Sequence, residues 1–88
     1  MNIINVYESV SLKCTAHGFG PIKIIWKRAK HNMPVTAEVT EEKSLNKISS
    51  ILKIAKTVGY YSGQYYCHAE NEVGKVTSQP ANLYVKGN

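Results

Sequence analysis

Apolar residues in this chain recur at every second position, and no stretch keeps the 3.6-residue repeat of a helix face. Val10, Leu12 and Cys14 alternate with Ser9, Ser11 and Lys13. Ile22, Ile24 and Trp26 alternate with Lys23, Ile25 and Lys27. From Ile48 to Ile54, Leu52 and Ile54 share one parity while Ile51 and Lys53 take the other. Tyr65, Cys67 and Ala69 stand opposite Gln64, Tyr66 and His68, and Ala81, Leu83 and Val85 close the series. Neighbours on a strand point to opposite faces, so each run is a half-buried strand. Turn residues separate the runs. His17-Gly18-Phe19-Gly20-Pro21 is a turn, Asn32-Met33-Pro34 breaks the chain, and Gly59 with Ser62-Gly63 marks a corner. Asn71-Glu72-Val73-Gly74 is a hairpin turn, with Gly74 free to take positive φ. Residues 36–47 read as a short edge strand. Pro80 interrupts the last strand, 75–85, as expected of an edge or a bulge. Short strands at regular spacing without an amphipathic helix predict an all-β antiparallel sandwich or barrel.

The chain has 88 residues, enough for one domain, 1–88. A domain of this size hides only about 60–65% of its extended surface, so a covalent staple would help it. No apolar run approaches the roughly 18 residues of a membrane helix, so no membrane insertion by this segment is expected. The start lacks the pattern of a secretory signal. A secreted protein would therefore contain this domain as an excerpt of a longer, multi-domain chain, with Lys86-Gly87-Asn88 as a linker.

The formal net charge is +5, from 11 basic and 6 acidic residues. The lysines are scattered from Lys13 to Lys86, so nucleic acid is not an expected partner. The one local run, Lys27, Arg28 and Lys30, is a candidate basic patch for an acidic partner or a sulfated glycan. Cys14 and Cys67 lie 53 positions apart, and His17, His31 and His68 are isolated. Nothing has the spacing of a metal site, so neither metal nor cofactor is expected. Cys67 and His68 are neighbours on a strand, so their side chains diverge and make no catalytic dyad.

Two cysteines share the inward parity of separate strands, and Trp26 follows the first by 12 positions. Tyr65 precedes the second by two. Further matching residues are Val10-x-Leu12-x-Cys14, Leu52-x-Ile54, Gly63-x-Tyr65-x-Cys67-x-Ala69-x-Asn71-x-x-Gly74 and Ala81-x-Leu83-x-Val85. In these residues, over nearly its whole length, the chain resembles the immunoglobulin superfamily, closest to the I set. The resemblance implies a Greek-key β-sandwich of two antiparallel sheets, with a Cys14–Cys67 disulfide between them and Trp26 packed on it. It also implies core roles for Leu12, Leu52 and Leu83, and a tyrosine corner in which the Tyr65 hydroxyl bonds backbone before its strand. One position departs from the family. Tyr61 stands where an acid usually pairs with an arginine that begins the fourth strand, and residues 35–47 contain no arginine. The corner must be held another way, with Tyr61 packing under the loop as the candidate.

The resemblance implies a non-catalytic protein-interaction module of a cell-surface adhesion or receptor protein. Partners would be other proteins, copies of itself or neighbouring immunoglobulin-like domains. Oxidising surroundings suit one bridge, worth about 4 kcal/mol on the chain-entropy model. The alternative is an intracellular muscle or cytoskeletal scaffold domain with reduced cysteines, and the lack of any Asn-x-Ser/Thr acceptor leans that way. Parity nominates the interface. Ile25, Tyr66 and Tyr84 should form one exposed patch, rimmed by Lys27, His68 and Gln64. An odd number of strands should place the chain ends at opposite poles.

Overall fold

The computed structural model describes residues 2–18 and 20–87. The described residues form eight strands: β1 (Asn2–Asn5), β2 (Val10–His17), β3 (Lys23–Arg28), β4 (Ala37–Ser44), β5 (Lys47–Ile54), β6 (Gly63–Glu70), β7 (Lys75–Thr77) and β8 (Ala81–Lys86). A single 3₁₀ turn, Gly59–Tyr61, precedes β6. Strands β2, β5 and β4 make one sheet in that order, fully antiparallel. The other sheet runs β1-β8-β6-β3, with β7 also paired to β6. The chain crosses between sheets after β1, β2, β3 and β5, and the two layers form an all-β immunoglobulin-like sandwich.

The period-two faces meet in the middle. Leu12, Leu52, Ile54, Tyr65, Leu83 and Val85 form one buried cluster, and Ile24, Ile48, Cys67 and Ala69 a second. Trp26 is half-buried and packs on both clusters, so it joins them rather than filling the centre of either. Its indole N–H donates to Ser50 Oγ at 2.9 Å. Ser50 is fully buried, and the bond satisfies both groups in an apolar setting where an unmade bond is costly.

Several expectations change in detail. β1 does not alternate cleanly, and it forms by parallel pairing with β8, from Asn2 opposite Leu83 to Asn5 opposite Lys86. The sandwich is therefore not wholly antiparallel. A kink at Tyr7, with φ 72°, then carries the chain to the other sheet. Thr57 fixes this kink: its carbonyl accepts from Tyr7 N–H, and its N–H and hydroxyl both donate to the Glu8 carbonyl.

The region expected to hold a short edge strand gives the eight-residue β4, whose exposed charges suit a sheet edge. The last run splits into β7 and β8 around Ser78-Gln79-Pro80. Ser78 bridges the gap by donating its N–H to the Cys67 carbonyl and accepting the Cys67 N–H on its hydroxyl. Gly74 does not take the left-handed conformation. Asn71 shapes that turn instead, its Oδ1 accepting from the Val73 and Gly74 N–H groups. Phe19, in the first turn, and Asn88, in the final linker, lie outside the described residues.

Candidate protein interface

The inward face of β3 and β6 carries the structural constellation. The Cys14–Cys67 disulfide bridges the two sheets with a Cα–Cα distance of 6.6 Å. Tyr65 is fully buried, and its hydroxyl donates to the Tyr61 carbonyl at 2.6 Å. Burial raises the Tyr65 phenol above its ordinary value, while the nearby Arg28 charge acts the other way.

Arg28 does not join Lys27 and Lys30 in the expected basic patch, because it is only 6% exposed. It shares the inward parity of Ile24 and Trp26 and lies in register with Tyr65. One terminal nitrogen donates to the Tyr60 and Ser62 carbonyls, the second bond at 3.0 Å, and the other donates to the Asn32 carbonyl at 3.2 Å. The guanidinium carbon lies 5.2 Å from the Tyr60 ring centre and 5.6 Å from that of Tyr65. Gly63 takes φ 152°, a backbone conformation that residues with a side chain rarely adopt, and so lets the chain turn into β6 beside Arg28.

Arg28 therefore holds the corner that lacks the family's acid–arginine pair. Tyr61 contributes its carbonyl and half-buried packing against the core. Lys27 and Lys30 remain exposed, without the arginine between them.

The outward face of the same strands holds the interface candidates. Ile25 is opposite His68, and Lys27 is opposite Tyr66. The His68 ring meets the Tyr66 ring edge-on at 5.4 Å, and its Nδ1 lies 2.7 Å from Thr77 Oγ1 on β7. Ile25 is 37% exposed, Tyr66 and His68 are half-buried, and Lys27 and Gln64 are exposed.

Tyr84 does not join this group. β8 pairs with β6 as Gly63 with Leu83 and Gln64 with Asn82, which puts Tyr84 level with Ser62. Tyr66 is four residues further along, roughly 13 Å at strand spacing. Tyr84 instead lies opposite Ile3 on β1, and both are exposed. The single expected patch is two: Ile25–Lys27–Tyr66–His68 on β3 and β6, and Ile3–Tyr84 on β1 and β8 at the opposite edge. Parity gave the face correctly, but only the register separates the two groups.

A cavity of about 670 Å³ opens between β2 and β7. Ala16, Ile22, Ala69 and Val76 line it, and the disulfide lies along its wall. Among the described residues, no three His, Cys, Asp or Glu side chains gather to hold a metal ion. No helix of the described residues is long and apolar enough to cross a membrane.

Comparison with known proteins agrees with this architecture. The family model for the immunoglobulin I-set domain matches residues 2–85. Neural cell adhesion molecule 1 of Gallus gallus is 36% identical over 83 residues, covering 93% of this chain and 7% of that protein. The chain thus spans a small fraction of the curated relatives' length. An I-band fragment of titin superposes with a TM-score of 0.77 at 28% identity, covering 97% of this chain and 29% of that one. A chain from the complex of Dpr2 Ig1-Ig2 with DIP-Theta Ig1-Ig3 superposes with a TM-score of 0.83 at 18% identity, covering 96% of this chain and 30% of that one. At that identity the likeness concerns the fold alone.

Proposed function

The chain belongs to the immunoglobulin I-set family, and from that premise we propose that it is a non-catalytic protein-docking module of a cell-surface adhesion protein. Its docking face is the outer side of the five-stranded sheet around Ile25, Lys27, Tyr66 and His68. The observation that carries this reading is the fixed aromatic cluster on the outward face of β3 and β6, rimmed by Lys27 and Gln64. Thr77 holds His68, and His68 holds Tyr66 edge-on. Rings already ordered in the free protein lose little entropy when a partner covers them. Tyrosine beside an apolar residue and a polar rim is also the composition of an interface centre. The likeness to a neural cell adhesion molecule and the disulfide, which belongs to oxidising compartments, support the extracellular setting.

The parallel pairing of β1 and β8 supports an arrangement in series. A chain entering β1 comes from one pole of the sandwich, and a chain leaving β8 departs towards the other. Neighbouring domains would then be strung end to end.

Binding of a multivalent labelled form of the domain to cells tests the docking reading. Tyr66→Ala should weaken binding by more than about fivefold, the equivalent of 1 kcal/mol, with the melting temperature unchanged. Equal binding by both forms would refute the docking face.

A second reading is an intracellular scaffold domain, favoured by the likeness to a titin fragment. Intact mass of protein alkylated during extraction from its tissue separates the two. Two alkylated thiols would establish the scaffold reading, and an unmodified bridge the extracellular one.

A further inference from the structure

The outer faces of the two sheets differ in charge. On the five-stranded sheet Lys23, Lys27, Lys75 and Lys86 point outward with Glu70 as the acid among them. Glu70 lies in register with Lys23 on one side and Lys75 on the other, the one acid between two cations. Lys27 has Tyr66 opposite it instead, and stands beside the aromatic cluster with no acid in register. The three-stranded sheet carries Lys13, Lys47 and Lys53 outward against Glu38 and Glu42, with Glu38 in register with Lys53. That face is close to balanced, whereas Lys23, Lys27 and Lys75 around the docking cluster exceed their one acid, Glu70, by two positive charges, with Lys86 at the far end of the same face.

We infer that the docking face takes an acidic protein surface, one that sets carboxylates around an apolar centre, rather than a second copy of this chain face to face. The inference rests on the docking reading above and adds the partner's chemistry. Two copies related by a two-fold axis would bring the same excess of lysines together on both sides of the contact. Juxtaposed like charges suppress an association strongly once water is excluded. An acidic partner gains instead, because Lys27 meets a counter-charge at the rim while Ile25 and Tyr66 are covered. Rim charges of this kind act on encounter rate and salt dependence, so the contact should weaken as salt rises.

The probe is a synthetic β-hairpin whose outer side alternates glutamate with leucine and tyrosine, compared with the same hairpin carrying lysine for glutamate. Both are titrated into isotope-labelled domain and followed by amide chemical shifts at about 50 and about 300 mM salt. The glutamate hairpin should shift amides of β3, β6 and β7 and bind at least about tenfold more tightly than the lysine hairpin. Lys27→Glu should weaken it by about tenfold, and Lys53→Glu on the opposite sheet should leave it unchanged. Equal binding of the two hairpins, or equal loss from both charge reversals, would overturn the inference.

Tyr66→Ala separates this outcome from failure of the docking reading. Loss of binding on Tyr66→Ala with no response to Lys27→Glu or salt removes the acidic partner and keeps the face. No response to either substitution removes both. Sedimentation of the domain alone gives a further arm. Self-association abolished by Lys27→Glu would assign the face to a second copy, with the glutamates of β4 as the counter-charge, and overturn the inference.

Discussion

Replacing Arg28 is the sharpest test of how the corner is held. As an exposed lysine-like charge it would be worth under about 0.5 kcal/mol, the usual range for surface substitutions. The structure gives a different figure. Three hydrogen bonds from a charged donor, at about 1.5–3 kcal/mol each, sum to about 5–9 kcal/mol. Desolvation of a buried guanidinium opposes this by several kcal/mol. The acceptors include carbonyls of Tyr60 and Asn32, both exposed residues that water can reach once the guanidinium leaves. A net loss of about 3 kcal/mol is therefore expected for Arg28→Met, on charged hydrogen bonds less desolvation. In a domain of this length that lowers the melting temperature by roughly 12–24 °C, at about 4–8 °C per kcal/mol. Arg28→Lys should recover less than half, because a point ammonium cannot span acceptors from both the β3–β4 loop and the corner. Urea melts with an unchanged slope give the number directly. A loss below about 0.5 kcal/mol for Arg28→Met would refute the clamp.

Ser50→Ala removes the partner of the indole N–H and should cost about 1–2 kcal/mol, with a change in Trp26 fluorescence; an unaltered urea midpoint would show that the indole is satisfied elsewhere. Replacing Cys14 and Cys67 together by alanine should lower stability by about 4 kcal/mol, from a closed loop of 53 residues' separation, and a loss under 1 kcal/mol would contradict that model. Tyr65 gives the domain an alkaline limit. Its phenol is raised in the folded state, so below about pH 10 both states hold the proton and its contribution is complete. Above that the unfolded chain releases the proton first, and stability falls as pH rises through the folded value. Tyr65→Phe should flatten that fall in melts between about pH 9 and 11, and an identical slope in both proteins would assign it to other groups.

The sequence made the faces legible but not the registers. Alternation depends on the chain's local geometry, so the inward set Leu12, Ile24, Leu52, Leu83 and Val85 could be read directly. Arg28 carried the same signal, being two positions beyond Trp26, and its charge masked it. A long side chain can bury its stem and head when backbone carbonyls converge on it, and those carbonyls come from residues 32, 60 and 62, distant in sequence or in a loop. β1 had no local signal either. Asn2–Asn5 is a strand because β8 offers it a parallel edge more than 75 positions away. The separation of Tyr84 from Tyr66 likewise follows from the register of β8 on β6, which parity does not determine.

Parity also supplies an internal control, because the clamp and the docking face occupy consecutive residues. Lys27 and Tyr66 are opposite each other and point outward, and Arg28 and Tyr65 are opposite each other and point inward. Substitutions one position apart should therefore separate cleanly. Lys27→Glu and Tyr66→Ala should change binding with a melting temperature within a few degrees of the parent, since neither side chain fills the core. Arg28→Met and Tyr65→Phe should lower stability while the refolded domain, measured below its melting temperature, keeps its affinity for the hairpin. Thermal melts and the chemical-shift titration on the same four proteins give both readouts. If Lys27→Glu destabilised the domain as much as Arg28→Met, or Arg28→Met weakened binding by the same factor as Lys27→Glu, then the inward and outward assignments of β3 would be wrong. The basic patch would then have to be rebuilt with Arg28 at its centre.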